Sequence, residues 1–271
     1  MYFMKIDQLL EKYIKLNFSL SIEEEKEMMY RYVYATNKLE GNRLSLAQTT
    51  ELLSSDTISG ENVKLSDILE QKGMFKALIR MLKAVKNDEQ LSVKLMLELN
   101  WLILGQLWKN DDSYIDVKIK GQKEGNFKIS SNVIVIRKSG KILKRIEPFS
   151  SPENVKQNMN TLVDEVNKSD KHAIEKAAFL AQEIWLHQPF FDGNKRTGRL
   201  LVNFLTMKES FPLFVFEQLD ENYNNLLVQQ YLESKPNLIV NYIREQLSKQ
   251  INYYLDIKKS TKKNTGFRMI L

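Results

Sequence analysis

The chain has 271 residues, of which 43% are hydrophobic and 27% are charged, the balance of an ordinary globular protein. It contains no cysteine, which excludes a disulfide scaffold, a thiol nucleophile and a thiolate metal site. Its two histidines, His172 and His187, are too few for a multi-histidine metal cluster. The formal charge of +6 is spread along the sequence, which argues against a nucleic-acid-binding function.

No apolar run approaches the roughly 20 residues that cross a bilayer, and the N-terminal sequence lacks the apolar core of a signal peptide. We therefore expect a cytoplasmic protein with no membrane partner. The densest basic stretch, at the C-terminus, is interpreted as a solvated, frayed tail in preference to a polyanion-binding arm. Its cations are Lys258, Lys259, Lys262, Lys263 and Arg268.

Helical periodicity dominates the sequence, because apolar residues recur at i, i+3, i+4 and i+7 and glycine and proline are scarce. The predicted helices are, in chain order, residues 21–39, 45–53, 65–85, 91–107, 152–167, 174–187, 197–208, 221–233 and 237–257. Segment 127–146 is rich in β-branched residues and predicts a β-hairpin that turns at Ser139 and Gly140. The fold class is therefore all-α, with one hairpin inserted between helices.

We divide the chain into an N-terminal helical region (1–90), a core (91–240) and a C-terminal helix with its basic tail (241–271). The chemistry is expected in the core segment HQPFFDGNKRTGRLLVN, which begins at His187. Pro189 disfavours continuation of the preceding helix, and Asp192, Gly193 and Asn194 are turn formers. The predicted result is a helix, a tight loop and a second helix, whose free N–H groups form an anion site.

Two arginines reinforce this site, since Arg196 and Arg199 lie at i and i+3 and share a helix face. Two guanidinium groups above a set of N–H donors suit a di- or triphosphate, and Asp192 is placed to hold Mg²⁺ against its phosphates. The alternative is a capped helix start with solvent-facing arginines. The spacing of a Walker A loop is absent.

The sequence QPFFDGNKRTGR resembles the signature of the Fic (filamentation induced by cAMP) family, HPFx[D/E]GNGRxxR. The matching positions are Pro189, Phe190, Asp192, Gly193, Asn194, Arg196 and Arg199. The resemblance extends over about residues 30–240 and implies a compact Fic-like bundle of α-helices with a β-hairpin flap.

The resemblance also implies an activity, the transfer of AMP from ATP to a hydroxyl group of a target protein. It assigns Mg²⁺ to Asp192, the anion site to Gly193 and Asn194, the inner phosphates to Arg196 and the γ-phosphate to Arg199. The target is expected to dock as an added strand along the flap. In this sequence the flap begins at about Ser131 and ends at about Arg145.

Two positions depart from the signature. The family's general base, a histidine, is replaced by Gln188, whose amide cannot accept a hydroxyl proton near neutral pH. His187 lies one residue earlier and takes this role only if the end of the helix unwinds; otherwise it is a buried helix residue. Lys195 replaces a glycine, as in the Doc toxins, which transfer phosphate; it either reorients a triphosphate or adds one phosphate contact.

The sequence TNKLEGN, at residues 36–42, resembles the inhibitory helix motif of the family, [S/T]xxxE[G/N]. The resemblance assigns an inhibitory role to Thr36, Glu40 and Asn42. We expect Glu40 to form a bidentate pair with Arg199, where the γ-phosphate of ATP would bind. The alternative is an ordinary helix end followed by a glycine stop.

The leading hypothesis is therefore an adenylyltransferase that uses ATP and Mg²⁺ and is inhibited by Glu40. The alternatives are a Doc-like phosphotransferase, favoured by Lys195, and a catalytically impaired nucleotide-binding protein, favoured by Gln188. Tyr223 or Asn225 is expected to border the base of the nucleotide. Homo-oligomerisation is left open by the sequence.

Overall fold

The computed structural model describes residues 3–16, 20–61, 63–138, 141–217 and 223–265. Its α-helices are α1 (Met4–Lys15), α2 (Ile22–Lys38), α3 (Leu46–Ser55), α4 (Leu65–Lys86), α5 (Val93–Asn110), α6 (Ile115–Ile119), α7 (Val155–Lys168), α8 (Ala173–His187), α9 (Asn194–Lys208), α10 (Tyr223–Leu232) and α11 (Leu238–Thr265). Strands β1 (Ile134–Lys138) and β2 (Lys141–Ile146) form an antiparallel hairpin. The prediction of an all-α fold with an inserted hairpin is confirmed.

Helix α9 lies at the centre of the molecule. Within residues 194–206 every side chain is buried except that of Lys195. Helix α8 packs along it, and α2, α4 and α5 contact it from other sides. Two of the surrounding helices start at capping boxes, in which Ser21 pairs with Glu24 and Ser45 pairs with Gln48. No helix in the described part of the chain is long and apolar enough to cross a membrane.

Most element boundaries differ from the sequence prediction by one to three residues, and two of the differences bear on the site. Helix α9 starts at Asn194, three residues early, because Gly193 adopts a left-handed φ of 76° and directs the chain into the helix. The strands are shorter than segment 127–146, since the residues before Ile134 follow the α8–α9 loop instead. The predicted turn at Ser139 and Gly140 lies outside the described residues.

Both ends of the chain were also predicted incompletely. Helix α1 was missed, although its apolar residues at helical spacing, including the buried Ile6, pack it against α11. The backbone of α11 continues to Thr265, so the predicted frayed tail is wrong for the stretch that contains Lys258 and Lys263. Arg268 lies outside the described residues.

Candidate functional site

The loop between α8 and α9 forms a compact turn, which the side chain of Asn194 closes from within. Gln188 ends α8 in a left-handed conformation, with φ 44° and ψ 59°. Asn194 then bonds back to Phe190 twice: its Oδ1 accepts from the Phe190 N–H and its Nδ2 donates to the Phe190 carbonyl, each at 2.9 Å. The loop therefore delivers the chain to the N-terminus of α9, where free N–H groups favour an anion.

A second amide fixes the start of α9 from outside. The Nδ2 of Asn100 donates to the Asp192 carbonyl at 2.9 Å and to the Thr197 hydroxyl at 3.2 Å. A Cβ atom at Gly193 would lie 2.8 Å from this Nδ2. Glycine is thus required here both by φ and by the close approach of Asn100.

Arg199 is completely buried and binds the end of α2. Its Nε donates to Thr36 Oγ1 at 2.6 Å and its Nη2 to the Thr36 carbonyl at 2.9 Å. Nη2 lies 2.8 Å from Glu40 Oε1, and Nη1 donates to Asn224 Oδ1 at 3.2 Å. The alternative of a solvent-facing arginine is therefore wrong at this position.

Glu40 divides its carboxylate between two cations. Its Oε1 pairs with Arg199, while its Oε2 lies 2.7 Å from Lys195 Nζ, so the expected bidentate pair is wrong. Burial opposes the charged form of Glu40, but Arg199 and Lys195 outweigh it and lower its pKa to about 2. The carboxylate is therefore ionised throughout the physiological pH range.

Arg196 is also buried, and its guanidinium lies between two carboxylates. Nη1 is 3.1 Å from Glu70 Oε1 on α4, and Nη2 is 3.4 Å from Asp192 Oδ2. Glu70 was not identified from the sequence, because only the packing of α4 against α9 brings it to the site. In this arrangement Arg196 is positioned by the protein itself and does not point into solvent.

Asp192 remains partly exposed, with 43% of its side chain accessible. Its Oδ1 accepts from the Gly193 N–H at 2.5 Å, and its Oδ2 accepts from the Tyr114 hydroxyl at 2.8 Å. Burial and the adjacent Asp192 raise the pKa of Tyr114, which keeps this hydroxyl a donor. No cluster of three metal-ligating side chains occurs in the described ranges. Asp192 suits the binding mode of Mg²⁺ in which one carboxylate and phosphate oxygens are the ligands.

Asn42 does not reach Arg199. Its Nδ2 donates to the Asp67 carbonyl and to Glu70 Oε2, each at 2.9 Å, and its Oδ1 accepts from Gln71 Nε2 at 3.1 Å. The side chain therefore fastens the end of the α2 segment to α4. It touches the site only through Glu70, the partner of Arg196.

Gln188 and His187, the two candidates for the general base, both have polar partners within the protein. Gln188 Nε2 donates to the Trp185 carbonyl at 2.6 Å, and its Oε1 accepts from Asn194 Nδ2 at 3.0 Å. His187 is the last residue of α8, and its Nδ1 lies 2.6 Å from Ser150 Oγ. Its Nε2 lies 3.4 Å from Glu183 Oε2. The end of α8 is not unwound in this structure.

Lys128, which was not identified from the sequence, joins the segment before the hairpin to the same loop. The side chain is 2% exposed, and its Nζ donates to the His187 carbonyl at 3.1 Å and to Asn132 Oδ1 at 2.9 Å. Burial lowers the pKa of Lys128 to about 8, although the more distant Glu147 opposes the shift. Asn132 Nδ2 in turn donates to the Phe190 carbonyl at 3.1 Å.

An open cleft of about 430 Å³ lies between the hairpin and α10. Lys195, Asn224 and Asn225 line it on one side, and Val135 and Leu143 of the hairpin line it on the other. Asn225 thus borders the cleft. Tyr223 does not, because it is 1% exposed and its ring packs among the core aromatic residues.

The fold and the site define a helical protein in which the N-terminal half of α9, with two buried arginines, lies beside a hairpin. Residues 90–206 match the Fic/DOC family. The protein adenylyltransferases fic-1 of Caenorhabditis elegans and Caenorhabditis briggsae are 28% and 30% identical over 88% of this chain. The chain spans 44% of the length of each of these relatives.

A solved structure of a Fic domain containing signaling protein from Bacteroides thetaiotaomicron is also similar, with a TM-score of 0.77 and 29% identity. The alignment covers 94% of this chain and 97% of that one. Residues 90–206 therefore carry a match to the Fic/DOC family, and the chain is similar in sequence and in fold to Fic domain proteins over most of its length.

Proposed function

We propose that this chain is a protein adenylyltransferase of the Fic type, which transfers AMP from ATP to a hydroxyl side chain of a target protein and is inhibited by Glu40. The observation that carries the proposal is the placement of the Glu40 carboxylate against Arg199 and Lys195 at the start of α9. A carboxylate held by two cations at a helix N-terminus occupies a site built for an anion. The names of the C. elegans and C. briggsae relatives support the same activity.

The site offers the groups that ATP requires. The N–H groups that follow Gly193, together with Arg196 and Arg199, bind the phosphates, and the cleft bordered by Asn225 accepts the nucleoside. Asp192 holds Mg²⁺, which neutralises phosphate charge when it is bound. The γ-phosphate competes with Glu40 for Arg199, so inhibition consists of an internal carboxylate in the place of a phosphate.

Transfer forms a bond between the target oxygen and the α-phosphorus and breaks the bond from that phosphorus to the β-phosphate, so that pyrophosphate leaves. The hydroxyl proton must pass to a base, and the amide of Gln188 is not one. His187 supplies the base only when its ring leaves Ser150 and Glu183 and the last turn of α8 opens. The target hydroxyl is brought to the site by docking along the flap.

The test is label transfer with Mg²⁺ and ATP labelled at the α phosphate, scoring self-modification and transfer to proteins of a lysate. We expect Glu40→Gly to be labelled roughly tenfold or more above wild type, because the carboxylate no longer competes for Arg199. Glu61→Gly is the matched control, since it changes an exposed glutamate in a loop. Arg199→Ala in the Glu40→Gly background should remove the label. Equal, negligible labelling of Glu40→Gly and wild type would contradict the proposal.

A second candidate, nucleotide binding without transfer, is favoured by the hydrogen bonds that occupy Gln188 and His187. It predicts that Glu40→Gly binds ATP in calorimetry but carries no label, and that adding Gln188→His to it produces labelling. Loss of label in His187→Ala would instead identify His187 as the base. Label from the γ phosphate alone would support the Doc-like phosphotransfer that Lys195 suggested.

A further inference from the structure

The hairpin carries positive charge without compensation. Residues 125–146 contain no carboxylate, and residues 134–146 contain five cations. These are Arg137, Lys138, Lys141, Lys144 and Arg145. The first acid that follows is Glu147, so residues 134–147 hold five cations and one carboxylate, a net charge of +4.

The fold does not use the cations of β2. Among the described residues, no carboxylate oxygen lies within 4.0 Å of Lys141, Lys144 or Arg145, whereas Arg80 and Arg43 elsewhere have acidic partners. Residues 141–145 are all exposed. Lys144 Nζ lies 5.8 Å from the ring centroid of Tyr231. The charges are therefore available to a partner.

The backbone of the hairpin is open to a third strand. Strands β1 and β2 pair with each other, and within the described residues no other backbone group bonds to either strand. Each strand therefore presents an outer edge of N–H and C=O groups, which an extended peptide can pair with. The register sets Val135 opposite Arg145 and Ile136 opposite Lys144.

Apolar side chains are interleaved with the cations. Ile142 and Leu143 are 43% and 61% exposed, and Val135 is 37% exposed on the neighbouring strand. Along β2 the order is Lys, Ile, Leu, Lys, Arg, and the register shifts opposite Leu143, so a peptide strand laid along this edge meets cationic and apolar side chains mixed together and not in strict alternation. Exposed leucine and isoleucine fit apolar residues of the peptide, and the cations fit its acids.

We propose that the partner of the hairpin is an extended peptide segment of a target protein in which acidic residues flank the modified hydroxyl and are mixed with apolar ones. The inference rests on the proposed function, because it names the substrate class of that site. Nucleic acid is less well matched, since neither strand carries an aromatic residue for base stacking. Glu233, which lines the cleft beside the hairpin, is paired with Lys235.

The test measures binding of short fluorescent peptides to the full chain by anisotropy. The peptides share apolar positions and one central serine and differ only in their flanks, which are glutamate, glutamine or lysine. We expect the glutamate peptide to bind roughly tenfold more tightly than the glutamine peptide, and this advantage to fall with added salt. Lys141→Glu/Lys144→Glu/Arg145→Glu should reverse the order of the glutamate and lysine peptides.

The matched control reverses three exposed lysines on and just before α4, Lys64, Lys76 and Lys86, and should leave the order unchanged. Equal binding of the three peptides would overturn the inference. Tight binding of a single-stranded oligonucleotide, with none of the glutamate peptide, would overturn it in favour of nucleic acid.

Label transfer separates this inference from the proposed function. Self-modification of Glu40→Gly without discrimination among the peptides would overturn the acidic substrate class alone. Charge-dependent binding of the glutamate peptide in a protein that carries no label would support the docking surface while contradicting the transferase activity.

Discussion

Lys195, in the first turn of α9, is the residue whose role is least explained by the family signature. It replaces a glycine, and its ammonium lies 2.7 Å from Glu40 Oε2, on the side of the carboxylate that Arg199 leaves free. Neither of the two roles expected for it, reorienting a triphosphate or adding a phosphate contact, involves Glu40. The structure instead makes Lys195 a second cation for the Glu40 carboxylate.

We predict that Lys195→Met raises α-phosphate labelling about two- to fivefold above wild type, and less than Glu40→Gly does. The lysine is 34% exposed, so solvent screens the pair and its loss weakens the hold on Glu40 only modestly. Lys249→Met is the matched control, because it removes an exposed lysine–glutamate pair on α11. A fall in labelling would show that Lys195 acts mainly on the phosphates.

At the scale of elements, the loop between α8 and α9 is fastened from three sides. Asn194 closes it internally, Asn100 of α5 holds its carbonyl, and Lys128 and Asn132 join it to the segment that leads into the hairpin. The hairpin is thus connected to the anion site by hydrogen bonds as well as by sequence. A rigid loop of this kind presents its N–H groups in one arrangement, which lowers the entropic cost of binding an anion.

Gly193, which immediately precedes α9, and Gly198, which lies inside α9, offer a matched test of the rigidity of the loop. Gly193→Ala should lower the free energy of unfolding by about 1–3 kcal/mol, since it combines a left-handed φ with a contact to Asn100. Gly198→Ala should raise it by up to about 1 kcal/mol, because the new Cβ lies 3.8 Å or more from its neighbours. Urea denaturation checks both, and equal effects would refute the assigned role of Gly193.

At the scale of the whole molecule, the site is assembled from parts that are distant in sequence. Arg199 of α9 binds Thr36 and Glu40 at the end of α2, and Asn224 of α10 binds Arg199 and donates to the Leu39 carbonyl. Glu70 of α4 completes the set through Arg196. The segment that carries Thr36 and Glu40 is therefore part of the packing of the domain, and its release must cost stability.

The stability that the Glu40 carboxylate contributes depends on pH. The pKa of Glu40 is lowered from 4.5 to about 2, so the stability it contributes is present above about pH 4.5 and is lost as the pH falls through about 2. We expect the difference in unfolding free energy between wild type and Glu40→Gln to shrink by on the order of 3 kcal/mol across this window.

Urea denaturation at several pH values measures this difference. Glu61→Gln, which changes an exposed carboxylate, is the control. If the difference in unfolding free energy between wild type and Glu40→Gln stayed constant from pH 4.5 down to 2, the lowered pKa of Glu40 would be contradicted. Because the pair remains charged at mild acidity, acidification to about pH 5 should not release Glu40.

The sequence by itself determined the elements and the residues of the loop. Apolar periodicity placed nine helices to within a few residues, except for the C-terminal end of α11, and β-branched residues marked the hairpin. Turn formers and two arginines at i and i+3 located the anion site, because these signals depend on neighbours in the chain. Helices α1 and α6 were missed, although the apolar residues of α1 do recur at helical spacing.

Only the tertiary structure decided which groups each of these residues meets. Glu70 reaches Arg196 because α4 packs against α9. Lys128 reaches the loop from the irregular segment before the hairpin, which periodicity does not describe. The division of the Glu40 carboxylate between Arg199 and Lys195 likewise depends on the angle at which α2 approaches α9. Sequence spacing specifies local geometry, whereas contacts between distant segments are set by how the buried faces of the helices pack together.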